Sequence, residues 1–84
     1  MALPNEINED KLAEVALALL WLTAHGDAEY PRVWKGLDWD LMNLLHDKGW
    51  IGDPVGKQKS VALSNEGAKL AESLFEKYFG AATD

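Results

Sequence analysis

Leu44-Leu45-His46-Asp47-Lys48-Gly49-Trp50-Ile51 and, beyond a turn, Val61-Ala62-Leu63-Ser64-Asn65-Glu66-Gly67 decide the fold. Gly49 directly after Lys48 is a helix stop, because glycine takes the left-handed conformation at no steric cost. Ser64 stands where a helix N-cap belongs, ahead of a long periodic segment. Between the two, Gly52-Asp53-Pro54 and Gly56 are turn punctuation, and Lys59-Ser60-Val61-Ala62-Leu63 alternates like a half-buried strand. The order is helix, hairpin, helix, with Lys57 and Lys59 giving the hairpin a basic tip. Gly67, early in the last helix, costs about 1 kcal/mol of propensity against Ala. Close packing on the hairpin accounts for it.

Outward from this stretch, the last helix runs from Asn65 to Phe79 and ends at Gly80. It turns Ala68, Ala71, Leu74, Phe75 and Tyr78 to one face, and Lys69, Ser73, Glu76 and Lys77 to the other. The second helix starts at Asp38 as N-cap, with Leu41, Leu44 and Leu45 inward. Trp39, Asn43 and His46 line its outer side, flanked by Asp40 and Asp47. The first helix spans about Glu9 to Ala24, capped by Asn8 and stopped by Gly26. Its core stripe is Leu12, Val15, Ala16, Leu19 and Leu20. Ala18, Trp21 and Leu22 fall on the opposite face, beside Lys11, Glu14 and His25. Either the last helix or a second subunit covers that face; the expected reading is the second, a homodimer with Ala18, Trp21 and Leu22 in its interface. Asp27 to Gly36 reads as irregular, since Pro31 disfavours helix at Tyr30, and Arg32-Val33-Trp34-Lys35 is a loop or a short strand. The expected fold is one domain over residues 1–84, with an ordered core of about 8–80, mainly α with a small β-hairpin (α+β).

The chain is 84 residues long, with no cysteine and a net charge of −6. A disulfide framework, a thiolate metal site and a cysteine nucleophile are thereby excluded. The longest apolar run, Val15 to Leu22, is far short of the roughly 20 residues a membrane span needs. No basic leader precedes it, so the expected location is the cytoplasm. Charge is uneven. Residues 1–30 balance at −5, with Lys11 against Glu6, Glu9, Asp10, Glu14, Asp27 and Glu29. Residues 31–59 balance at +1, with Arg32, Lys35, Lys48, Lys57 and Lys59 against Asp38, Asp40, Asp47 and Asp53. Nucleic-acid binding draws on neutralised phosphates, so only this middle third suits it.

The helix ending in Leu44-Leu45-x-x-Lys48-Gly49-Trp50-Ile51, the turn, and the strand entering Leu63-Ser64-x-x-Gly67 are similar to the closing half of bacterial winged-helix domains. The resemblance covers about residues 38–75 and implies a wing at the hairpin and a recognition role for the second helix. The plan departs from that family between Asp27 and Leu37, which holds at most one helical turn, so the helix-turn-helix is degenerate. The pattern Trp34-Lys35-Gly36-x-Asp38-Trp39-Asp40, Leu45-His46-x-Lys48-Gly49 and Asp53-Pro54-x-Gly56-Lys57-x-Lys59-Ser60-Val61 also resembles a family of short bacterial proteins known as a domain of unknown function. That likeness spans most of residues 12–79 and implies neither activity nor ligand.

Candidate chemistry is thin. His25 and His46 lack the spacing of convergent metal ligands, Ser60, Ser64 and Ser73 have no general base in pattern, and Gly52 to Lys57 has the wrong glycine spacing for a phosphate loop. No cofactor and no catalysis are expected. Trp39, Asn43 and His46 form an aromatic with a polar rim, the composition of a protein-binding face. The alternative is duplex DNA, met by Asn43 on base edges and by Arg32, Lys35, Lys57 and Lys59 on phosphates. The bland alternatives are that Trp39 folds over Trp34 and that the tip lysines are solvated.

Overall fold

The computed structural model describes residues 7–26 and 31–80. Helix α1 covers Glu9–Trp21, strands β1 and β2 cover His25–Gly26 and Pro31–Trp34, and helix α2 covers Trp39–Asp47. Strand β3 (Ser60–Ala62) and helix α3 (Asn65–Phe79) complete the chain. The fold is mainly helical α+β, with one antiparallel three-stranded sheet in the order β1-β2-β3. The opening residues and the segment 27–30 of the expected irregular stretch lie outside the described residues.

Each helix begins on the expected cap. Asn8 accepts from the Lys11 amide at 3.0 Å, Asp38 from the Asp40 amide at 3.2 Å, and Ser64 from the Gly67 amide at 2.9 Å. Gly49, at φ +79°, ends α2 in a Schellman turn: its amide donates to the His46 carbonyl at 2.9 Å, and the Trp50 amide to that of Leu45 at 3.2 Å. Helix α1 ends earlier than Ala24. Thr23 stops it by donating to the Leu20 carbonyl at 2.7 Å while accepting from the Trp34 amide at 3.0 Å. Gly26 is consequently a strand residue, at φ +87°, paired with Pro31.

The sheet corrects the expected hairpin. Strand β3 pairs with β2, Val33 opposite Val61 and Trp34 opposite Ser60, so Arg32 to Trp34 is strand and forms its centre. The return arm expected at Trp50-Ile51 keeps one bridge, Ile51 to Leu63. The Gly52 amide adds a bond to the Ala62 carbonyl at 2.9 Å. With Val33 free to pair at zero exposure, the longer ladder buries more apolar surface than the local hairpin.

One core unites these pieces: Ala13, Leu17 and Leu20 of α1, Val33 of β2, Met42 and Leu45 of α2, Ile51, Val61 and Leu63, and Ala71 and Leu74 of α3. The stripe expected for α1 is partly wrong. Leu17 and Ala18 are fully buried, whereas Leu19 is 42% exposed. Helix α3 covers the face that held Ala18 and Trp21, and Trp21 packs on the core. Ala18 has no exposed surface and is removed from any homodimer interface; of that trio only Leu22 stands well out.

Two polar contacts brace the packing. Tyr78 of α3 donates to the Glu14 carboxylate of α1 at 3.0 Å. Lys48, past the end of α2, pairs with Asp10 at 2.6 Å and holds that carboxyl below its usual range by hydrogen bond and charge. Gly67 explains its own presence, because a Cβ there would collide with the Trp50 backbone.

Two predictions follow from these contacts. Gly67→Ala gains helix propensity yet destabilises the protein by about 1–3 kcal/mol in urea unfolding, since the Trp50 backbone must move. Unchanged or raised stability would refute that close approach. The hydrogen bond to Glu14 raises the Tyr78 phenol above its ordinary 10.0, with desolvation adding to it. A raised folded-state value means that its contribution to stability is complete below the unfolded value and is lost as pH climbs through the folded one. In an ultraviolet pH titration, Glu14→Gln brings this ionisation down towards its ordinary value; a titration indifferent to that substitution contradicts the bond.

Candidate functional site

The basic residues of the middle third converge, but not on α2. Arg32 of β2 and Lys35 just after it lie beside the 52–60 segment, where they and Lys57 line an open cleft of about 370 Å³. Strand alternation fixes Arg32: Val33 points into the core, so Arg32 takes the opposite face. Its Nε donates to Ser60 Oγ at 2.9 Å, and Nη2 donates to Gln58 Oε1 at 2.8 Å and to the Ser60 carbonyl at 2.9 Å. Lys35 Nζ donates to the Pro54 carbonyl at 2.7 Å and the Gly56 carbonyl at 3.3 Å. Pro54 itself is fully buried, and Asp53 accepts from the Val55 amide at 2.9 Å, closing an Asx turn. Two cations therefore clasp a loop that has little other regular hydrogen bonding.

Lys57 is exposed and makes no hydrogen bond or ion pair among the described residues. Lys59 does not line the cleft; its carbonyl accepts from the Lys35 amide at 2.8 Å, and its side chain is exposed. Among the described residues of the lining Asp53 is the one carboxylate, so they carry a formal charge of +2 on a chain of −6.

The outer face of α2 is a separate surface, since none of its residues lines the cleft. Trp39 is its first residue and is 51% exposed; His46, Asp40 and Asp47 are exposed, and Asn43 is half-buried. At 100° per residue, Trp39, Asn43 and His46 share an arc of about 60°, with the two aspartates next to it. Trp39 does not stack on Trp34. Trp34 lies instead against His25, ring centroids 4.3 Å apart and nearly parallel. The His25 Nδ1 sits 2.8 Å from the Thr23 carbonyl, which can only accept, so Nδ1 carries the proton. His25 is thus a strand residue in a ring stack, not a residue of α1. No group of three or more His, Asp or Glu side chains that could hold a metal occurs among the described residues.

Gln58, Ser60 and Pro54 orient the two cations, a role that sequence reasoning did not give them. Their signal is tertiary, since Arg32 and Ser60 stand 28 residues apart. Of Asn43, Arg32, Lys35, Lys57 and Lys59, the set a DNA reader would use, Arg32, Lys35 and Lys57 line the cleft, and Asn43 and Lys59 do not.

A family model described as a domain of unknown function, DUF6429, matches residues 8–81. The chain is also similar to the uncharacterized protein y4hR of Sinorhizobium fredii, with 47% identity over 74 residues that cover 88% of this chain and 96% of that one. No solved structure matches at a significant level. No described helix is long and apolar enough to cross a membrane.

The clasp is testable by itself. Arg32→Met removes three hydrogen bonds, costs about 1–3 kcal/mol, and speeds amide exchange over residues 56–60. Arg32→Lys restores little, because an ammonium lacks the planar fork that spans Ser60 and Gln58. Wild-type exchange in both variants would show that the loop is held without Arg32.

Proposed function

The chain belongs to that domain-of-unknown-function family, and from its surface we propose a cytoplasmic, non-catalytic protein-interaction module whose contact face is the outer side of α2. Trp39 carries this reading. Its indole is 51% exposed and makes no ring contact among the described residues. A tryptophan buries about 150–250 Å² when covered, so covering the exposed half is worth about 2–3 kcal/mol. His46, Asp40 and Asp47 supply a polar rim around it, the arrangement of an anchor residue in a protein interface.

The same rim identifies the partner's chemistry. Two exposed carboxylates beside an indole fit an apolar socket edged with Arg or Lys. Against duplex DNA they would meet phosphates of like sign, and Asn43, the base reader of that alternative, is half-buried. A DNA-binding regulator also needs the second helix and the basic loop on one surface, and the cleft holds no residue of α2.

Trp39→Ala tests the reading with little risk to folding, because the residue is half exposed at the first turn of its helix. A partner retained by the tagged full-length protein at physiological salt is expected to weaken about 30-fold or more. The thermal midpoint should stay near wild type, and Lys57→Met should bind that partner normally. Equal retention by Trp39→Ala removes the α2 face from function. Amide shifts of Asn43, Lys57 and Lys59 on adding duplex DNA at moderate salt would replace the module by the regulator.

A further inference from the structure

We propose that the cleft between β2–β3 and the 52–58 loop binds a terminal phosphoryl group, the dianionic phosphate of a small phosphomonoester. This site is distinct from the α2 face and does not depend on the reading of that face.

Donor valence makes the case. Arg32 spends Nε and both hydrogens of Nη2 on Ser60 and Gln58, which leaves the two hydrogens of Nη1. Lys35 spends two of its three on the Pro54 and Gly56 carbonyls and keeps one. Lys57 keeps all three. Three separate cations, each with free hydrogens and no carboxylate bound among the described residues, line one open cavity. Because its Nε–Nη2 edge is already engaged, Arg32 cannot offer that edge of its fork to a planar carboxylate. Separate point donors on three residues instead match a tetrahedral group with three free oxygens. The two clasped cations are also held in place before any ligand arrives, so little side-chain entropy remains to be lost.

Charge narrows the ligand further. Arg32, Lys35 and Lys57 against Asp53 leave +2, which a phosphomonoester at about −1.5 to −2 neutralises. A phosphodiester offers one charge and two free oxygens, and a nucleic acid brings many more phosphates towards a chain of −6. The remaining lining includes Val55 and Ala62, apolar surface for the organic part of the ester. About 370 Å³ lies at the small end of ligand pockets, which suits a compact molecule. Asp53 has one oxygen on the Val55 amide and can accept a hydroxyl with the other.

The test is an amide-shift titration of the full-length protein with phenyl phosphate, at constant ionic strength and neutral pH. Saturable shifts at Gly56, Lys57 and Gln58 are expected. Lys57→Met should weaken binding about tenfold, the loss of one charge-assisted bond. Lys59→Met, outside the lining, should leave it unchanged. The methyl ester of phenyl phosphate, with one charge fewer, should bind at least fivefold more weakly. Absence of saturation, equal weakening by both lysine variants, or equal binding of the ester overturns the proposal. So does a short duplex DNA that shifts the same amides at lower concentration, which would make the cleft a nucleic-acid contact. Binding that survives Trp39→Ala keeps this result independent of the protein-partner reading.

Discussion

The backbone of Trp50 rests on the first turn of α3, and most of the structure depends on that contact. Only glycine at position 67 leaves room for it. Three bonds then converge on the junction: the Ser64 amide to the Trp50 carbonyl at 2.9 Å, Ser64 Oγ to the Gly49 carbonyl at 2.7 Å, and the Gly67 amide back to Ser64 Oγ at 2.9 Å. One serine thereby caps α3 and ties it to the end of α2. The Schellman turn at Gly49 aims Trp50 at this junction, and the Ile51–Leu63 bridge follows within one residue on either side. The register of β3 is set there. Because β3 pairs with β2, so is the height at which Arg32 meets Ser60, and with it the floor of the cleft.

The helix ends were legible because capping is local chemistry. Asn8, Asp38 and Ser64 each satisfy an amide two or three residues on, and Gly49 needs only its own φ. The reason for Gly67 was legible on the same grounds, since a glycine inside a helix asks for a close neighbour. Helix α1 was not. Val15 to Leu22 is apolar at every position, so a helical wheel has no polar side by which to choose its inward face. Tertiary packing chose Leu17, Ala18 and Leu20 and left Leu19 out. The small size of Ala18 belongs to close packing within the fold, where sequence alone allowed a second subunit.

The strand pairing was hidden for a different reason. Turn residues between Ile51 and Val61 announce a hairpin, and local rules reward the nearest partner. The competing partner, Pro31–Trp34, lies 28 residues upstream at Arg32 and Ser60 and begins with a proline, so its local signal reads equally as a loop or a short strand. What decides is burial: Val33 and Val61 face each other in the core, and Thr23 ties β2 to the end of α1. Of the candidate residues, Trp39 and His46 stand outward as expected. The cleft was half legible. Its cations were visible in the charge balance, while Ser60 and Gln58, which orient Arg32, became relevant only when β2 and β3 paired.

Clasping changes what the basic residues can do. A lysine or arginine that swings freely in water contributes a screened field and little geometry. Arg32 and Lys35 are fixed by carbonyl and hydroxyl oxygens, which remove their freedom without cancelling their charge, whereas a carboxylate partner would do both. The loop gains its order from two cations that line an open cavity and keep unengaged hydrogens. Lys57 adds a charge to the cleft that no described residue engages. On the far side of the charge balance, Asp40 and Asp47 edge an indole that is half exposed and makes no ring contact among the described residues. The two surfaces therefore obey different physics. The proposed contact through Trp39 would rest on apolar area and persist as salt rises, while the proposed occupancy of the cleft would rest on charge and fade over the same range. An 84-residue chain with one small core can hold both because neither asks for a buried charge: the described residues contain no buried polar or charged side chain at all.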